Sequence, residues 1–302
     1  MPDKIENRKF PKLTIVYIIM FMIITWIIQI LIVVVAGNFD SGNIVTQLQS
    51  VFLTICMFIP AIVLIIFCLL KKIKWNDLGL KPLKPLYWIP VFGIILIIQV
   101  LILISILWFS DFPNFIIGED GWKLKNIATI IRQPNPPVVF IINSILSMML
   151  ATIITIPQAL GEELAWRGYL QNIFIDKFGI VKGLVFLGII WGLFHLPINL
   201  SGYNHPGSPV FGAFIHMTIT CISLGIVFGW IRMKTNSVWP CAVAHAAYNT
   251  IGTIIGMAEP RINISMYYFY LNGIEILIGL FFLWLIIRDR LQWKNQLDNS
   301  KR

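Results

Sequence analysis

The chain has 302 residues, a formal net charge of +9, and 12% charged against 58% hydrophobic residues, with a mean hydropathy of +0.82. Soluble domains average about 25% charged and 45–50% apolar residues, so disordered, collagen-like and small disulfide-built secreted classes are excluded, and the apolar runs are too long and too many for a globular core. A charge of this sign suits nucleic acid or a membrane surface; its placement between the apolar runs decides for the lipid bilayer and against nucleic acid.

In chain order, eight runs of roughly 20 residues read as membrane helices: residues 13–36, 48–70, 87–109, 138–160, 183–200, 209–231, 238–257 and 266–287. The fold class expected is therefore all-α, a polytopic integral membrane protein of about eight transmembrane helices forming one transmembrane domain over 1–302. With both termini cytoplasmic, 19 Lys and Arg fall inside, three of them within 167–182, while Lys123, Lys125, Arg132 and Arg261 fall outside. This satisfies the positive-inside rule and supports a cell-membrane location. The first run exceeds the usual 7–15-residue core of a signal peptide and reads as retained. The outer loop 110–137 carries Pro134, Pro136 and Pro137 and is expected to hold little regular structure. Gly188 with Gly192, and Gly225 with Gly229, have the GxxxG spacing that lets helices approach closely, here for packing within one chain. Cys56, Cys68, Cys221 and Cys241 lie inside apolar runs and read as small buried hydrophobes.

Charges inside a bilayer are costly and call for a role. At the end of the fourth run stand Glu162, Glu163 and Arg167. Glu163 and Arg167 are i,i+4 neighbours in the favoured acid-before-base order, and Glu162 points about 100° away, so Arg167 neutralises one carboxylate while the other faces elsewhere. His195 lies roughly 18 Å into the fifth run at 1.5 Å per residue, with Pro197 just beyond it. His245 and Asn249 share one face of the seventh run. Glu275 sits mid-span without an intrahelical cation and has no assigned task. His205, in an outer loop, and His216 read as structural.

Brought together in a wet cavity, these groups suit a hydrolase. Glu162 with His195 polarises a water, the glutamate acting as general base, and His245 with Asn249 donates hydrogen bonds to an oxyanion. No serine, cysteine or threonine stands in a nucleophile motif, which disfavours covalent catalysis. Glu162, His195 and His245 would also make a three-ligand zinc set, although no HExxH is present. No cofactor is expected, with zinc left open.

The order Glu162-Glu163-x-x-x-Arg167, then Trp191-x-x-x-His195, then His245-x-x-x-Asn249 resembles the CPBP family of intramembrane proteases, which includes CAAX prenyl endopeptidases and bacteriocin self-immunity proteins. The resemblance runs from Glu162 to Asn249 and implies a catalytic core over 138–257. It implies Glu162 as water-activating base assisted by His195, Glu163 and Arg167 as groups holding the geometry, and His245 with Asn249 as the oxyanion hole. Trp191 stands where phenylalanine is usual, an exchange of one aromatic packing residue for another. The span limits put Glu162 near the cytoplasmic edge and His195 much deeper, which a tilted fourth helix, or one broken at Pro157, would reconcile. The abundance of Ile, Lys and Asn hints at an AT-rich bacterial genome. Bacteria generally lack prenylated proteins, so the expected substrate is a membrane-associated peptide such as a signal-peptide remnant or pheromone precursor. The alternatives are a zinc-dependent version of the protease, a non-enzymatic immunity or scaffold protein, and a transporter, for which no internal repeat is visible.

Overall fold

The computed structural model describes residues 11–38, 43–82, 93, 115–118, 121–124, 137–205, 207–257 and 264–300. Helices α1 (Lys12–Asn38) and α2 (Asn43–Leu69) pack along each other. A 3-10 turn follows at Trp75–Leu78, closed by Gly79 at φ 69°. That left-handed backbone suits glycine, and a Cβ there would in addition stand 2.5 Å from the Arg232 guanidinium. But for Gly93, the span expected at 87–109 lies outside the described residues. The outer loop is not without regular structure: Phe115–Gly118 (β1) and Gly121–Leu124 (β2) form an antiparallel hairpin with Phe115 opposite Leu124. Its isoleucines and aromatics favour strand where the prolines further on do not.

Helix α3 (Pro137–Glu163) continues through Pro157 without a break. It then passes into a π-helical segment, Leu164–Leu170, and on into α4 (Gln171–Phe178). This corrects the expected end at residue 160 and the loop expected after it. Ala165, Trp166, Leu170, Phe174 and Ile175 are buried, so an apolar face extends well past the acid pair. Arg167, counted above as a loop cation, is 1% exposed.

The expected fifth span is two helices, α5 (Ile180–Phe194) and α6 (Leu196–Leu200), parted at His195. Pro197 has no N–H to continue the helical ladder. The chain continues as α7 (Pro209–Thr235), with a π-helical stretch at Gly212–His216, then α8 (Trp239–Met257) and α9 (Ile264–Ser300). Helix α3 lies along α8, α5 along α7, and α7 along α9.

Four helical stretches among the described residues are long and apolar enough to cross a membrane: Lys12–Gly37, Leu48–Leu69, Pro209–Thr235 and Phe269–Arg290. The molecule is thus an all-α polytopic membrane protein, decorated by one short hairpin. The GxxxG glycines seat α5 against α7 in the same chain. A Cβ on Gly188 would stand 2.6 Å from Ile222 Cα, and one on Gly192 would stand 3.0 Å from Thr218 Cα. An aromatic cluster joins α1 to the chain's second half, with Phe21 5.4 Å from Trp166 and 6.2 Å from Phe194 between ring centroids. The four cysteines are buried thiols.

Candidate active site

Gly161 brings α3 against α2 just before the acid pair, since a Cβ there would meet the Met57 carbonyl at 2.7 Å. The two glutamates that follow are both buried, at 1% and 0% exposure, and their angular offset sends them to different neighbours. Glu162 Oε2 accepts the indole N–H of Trp166 at 3.2 Å and that of Trp191 at 2.7 Å. Its Oε1 accepts no hydrogen bond among the described residues. Glu163 Oε1 instead takes Arg167 Nη1 and His245 Nδ1, each at 2.9 Å. These are charge-assisted contacts in a site shielded from water, where such bonds are strongest.

Trp191 is the hub of the arrangement. The Arg167 guanidinium carbon lies 4.3 Å above its ring and 5.0 Å from that of Phe228, so two aromatic faces hold the buried cation. The His245 ring meets Trp191 edge-on at 5.3 Å, and the His195 ring lies 6.4 Å away. One side chain therefore touches the base candidate, its neighbouring ion pair and both histidines. Sequence reading gave Trp191 little weight as a stand-in for phenylalanine. That weighting is corrected by its N–H, which phenylalanine lacks. The signal was available, because a buried indole N–H ordinarily has a partner, and Trp166 and Trp191 flank the only acid pair within these spans.

The hydrogen bonds also fix which ring nitrogens are free. His195 Nδ1 faces the Trp191 carbonyl at 2.9 Å. A carbonyl can only accept, so Nδ1 carries the hydrogen and the neutral ring presents a lone pair at Nε2. His245 Nδ1 likewise donates to Glu163, and its Nε2 donates only when the ring is doubly protonated. Asn249 follows one turn later on α8, half-buried.

The structure thus joins Glu162, Glu163, Arg167, His195 and His245 through Trp191, with Asn249 next along α8. The expected mismatch in depth between Glu162 and His195 is also corrected. Glu162 bonds Trp191, one turn before His195, because the helix bearing it extends beyond the acid pair and does not end there. Among the described residues no three of His, Cys, Asp and Glu are placed to hold a metal ion together.

Glu275 lies in a separate network. Its carboxylate accepts the Thr220 hydroxyl and the Asn272 amide at 2.7 and 2.8 Å, and the Tyr248 hydroxyl as well. Asn272 also bonds His216. The His205 ring stacks on His216 at 5.5 Å, and burial, with His216 beside it, pushes the pKa of His205 down to about 4, which keeps this loop histidine neutral near pH 7. The network ties α7, α8 and α9 together through uncharged donors around one acid.

Residues 141–251 match the family model for type II CAAX prenyl endopeptidase Rce1-like proteins. CAAX prenyl protease 2 of Methanococcus maripaludis is 26% identical over 77 residues, which is 24% of this chain and 28% of that protein. The chain thus matches little more than a quarter of that relative's length. With the three motifs, these matches support the CPBP family for this chain, and the family-model match, over residues 141–251, contains every candidate site residue.

Proposed function

We propose that the protein is an intramembrane endopeptidase that hydrolyses a peptide bond of a membrane-associated peptide or protein with a glutamate-activated water. The observation that carries this reading is the Glu162 carboxylate. It is buried, two indole N–H groups hold one oxygen, and the other takes no hydrogen bond among the described residues.

In the proposed reaction Glu162 Oε1 and His195 Nε2 hold one water, and Glu162 takes its proton as the oxygen attacks the peptide carbonyl carbon. His245, as imidazolium, and the Asn249 amide donate to the oxyanion that forms. Glu162 then returns the proton to the leaving nitrogen as the C–N bond breaks. Glu163 and Arg167 act through position, because their ion pair aims His245 at the reacting carbonyl. Residues 138–257 form the catalytic core, and no cofactor takes part. The protein sits in the cell membrane with both termini cytoplasmic. The substrate is a peptide embedded in or tethered to that membrane, and nothing in this site requires it to be lipidated.

The test is peptide release by the purified full chain in detergent, from a library holding lipidated and unlipidated membrane peptides. Wild type should cleave, Glu162→Gln should lose at least a hundredfold in kcat, and a strong chelator should change neither. Loss of activity with chelator, restored by zinc, would turn Glu162, His195 and His245 into ligands. An in-cell immunity phenotype that survives Glu162→Gln, with no cleavage by either protein, would leave a scaffold role in place of an enzyme.

A further inference from the structure

His195 sits where a helix is interrupted. Helix α5 ends at Phe194 and α6 begins at Leu196, with His195 at φ −92°, ψ 4° between them. In an unbroken helix, residue 197 would donate its N–H to the Leu193 carbonyl and Ile198 would donate to Phe194. Proline removes the first donor, and the turn at His195 pulls the second pair apart.

Both gaps are filled from α1. Trp26 Nε1 donates to the Leu193 carbonyl at 3.0 Å. Gln29 Nε2 donates to the Phe194 carbonyl at 3.1 Å, while Gln29 Oε1 accepts the Ile198 N–H at 3.3 Å. A single carboxamide, 1% exposed, is thus inserted into the interrupted ladder and satisfies a donor on one side and an acceptor on the other. In a bilayer these groups have no water to turn to. Phe21, earlier on the same helix, packs on Phe194 and on Trp166, the indole that holds Glu162.

We infer that α1 is a positioning element of the active site, in which the Gln29 amide and the Trp26 indole clasp the broken helix and so set the direction of the His195 ring. Both residues lie outside the segment matched by the family model. The inference deepens the protease reading and rests on it for its kinetic arm only.

The test labels the histidines of the full chain, of which there are four, with ¹⁵N and assigns their ring signals by single His→Gln substitutions. Trp26→Phe removes one N–H and keeps an aromatic ring; Gln29→Met keeps length and removes both polar atoms. In folded variants the His195 ring signals should shift or split while those of His245 stay in place. With a cleaved peptide in hand, kcat should fall about tenfold or more with KM little changed, as misplacement of a reacting group does. In a His195→Ala background neither substitution should cost further activity. Unmoved His195 signals in Trp26→Phe would overturn the clasp, and so would losses fully additive to His195→Ala. If Gln29→Met fails to fold, Trp26→Phe decides alone. A wild type that cleaves nothing would sink the protease reading, and the ring signals would still decide the clasp.

Discussion

Trp191 and Trp166 present one carboxylate oxygen of Glu162 with two N–H donors, and the removal of either is a defined chemical change. Hydrogen bonds to charged groups contribute roughly 1.5–3 kcal/mol, and the Trp191 bond, at 2.7 Å, is the shorter of the two. Trp191→Phe keeps a ring over Arg167 and between the histidines but lets the Glu162 carboxylate turn. The expected result is a kcat reduced by about tenfold to a hundredfold, with a thermal unfolding midpoint close to that of wild type. A loss no larger than that of removing a buried aromatic ring elsewhere in the core, such as Phe174→Leu, would show that the indole N–H does not orient the Glu162 carboxylate. At this scale the sequence made the acid pair and its arginine legible, because helical spacing alone assigns Arg167 to Glu163. It could not tell which aromatic residues also carry a partner bond. By size and apolarity Trp191 and phenylalanine look alike, and only the burial of the N–H beside an acid separates them.

Interrupted and irregular helices carry the site, and that is where pattern reading runs out. Apolar composition located the helices, but a window of apolar residues does not mark where a helix stops when both the helix and its continuation are buried. Hence the fourth span appeared to end at residue 160, although the π-helical segment Leu164–Leu170 and α4 carry it on. Such π-helical turns recur at functional sites, and this one follows immediately on Glu162 and Glu163. The GxxxG spacings, in contrast, were legible because backbone approach leaves a direct trace in residue size. Their consequence can be measured at Gly188, where an added Cβ would stand 2.6 Å from the Ile222 backbone. Gly188→Ala must push α5 from α7, and overpacking of this kind costs about 1–3 kcal/mol. It should lower the thermal midpoint and, because α5 carries Trp191 and His195, reduce activity as well. Gly273 on α9 is the matched control: a Cβ there meets nothing within 4 Å, so Gly273→Ala should leave both readings unchanged. Equal effects from the two substitutions would mean that the α5–α7 crossing does not set the site.

Across the whole molecule, the second half of the chain holds the candidate site residues, and the first half packs and bonds against the elements that carry them. Tyr17 donates to the Pro60 carbonyl at 2.9 Å, joining α1 to α2. Trp239 and Ser237 bond the Leu80 and Lys81 carbonyls, which fastens the segment after α2 to the turn between α7 and α8. Arg232 donates to the carbonyl of Arg167 at 3.1 Å, so the same end of the bundle closes over the π-helical segment. This end gathers Lys71, Lys72, Lys74, Lys81 and Lys234, whereas Lys123 stands on the hairpin, in the loop that the sequence expects on the other side of the membrane. Orientation by basic residues then predicts that the Lys74 end faces the cytoplasm and the hairpin faces outward. The four native cysteines are buried, so single cysteines introduced for Lys74 and Lys123 would report against a low background. In intact cells a membrane-impermeant maleimide should label Lys123→Cys and spare Lys74→Cys, and permeabilised cells should show both. Labelling of both in intact cells would put both positions on the outer side, with an even number of crossings between them, and so remove the expected 87–109 span as a single crossing. The reversed pattern would keep the span count and turn the protein over, placing the end that carries Lys74 on the outer side of the membrane.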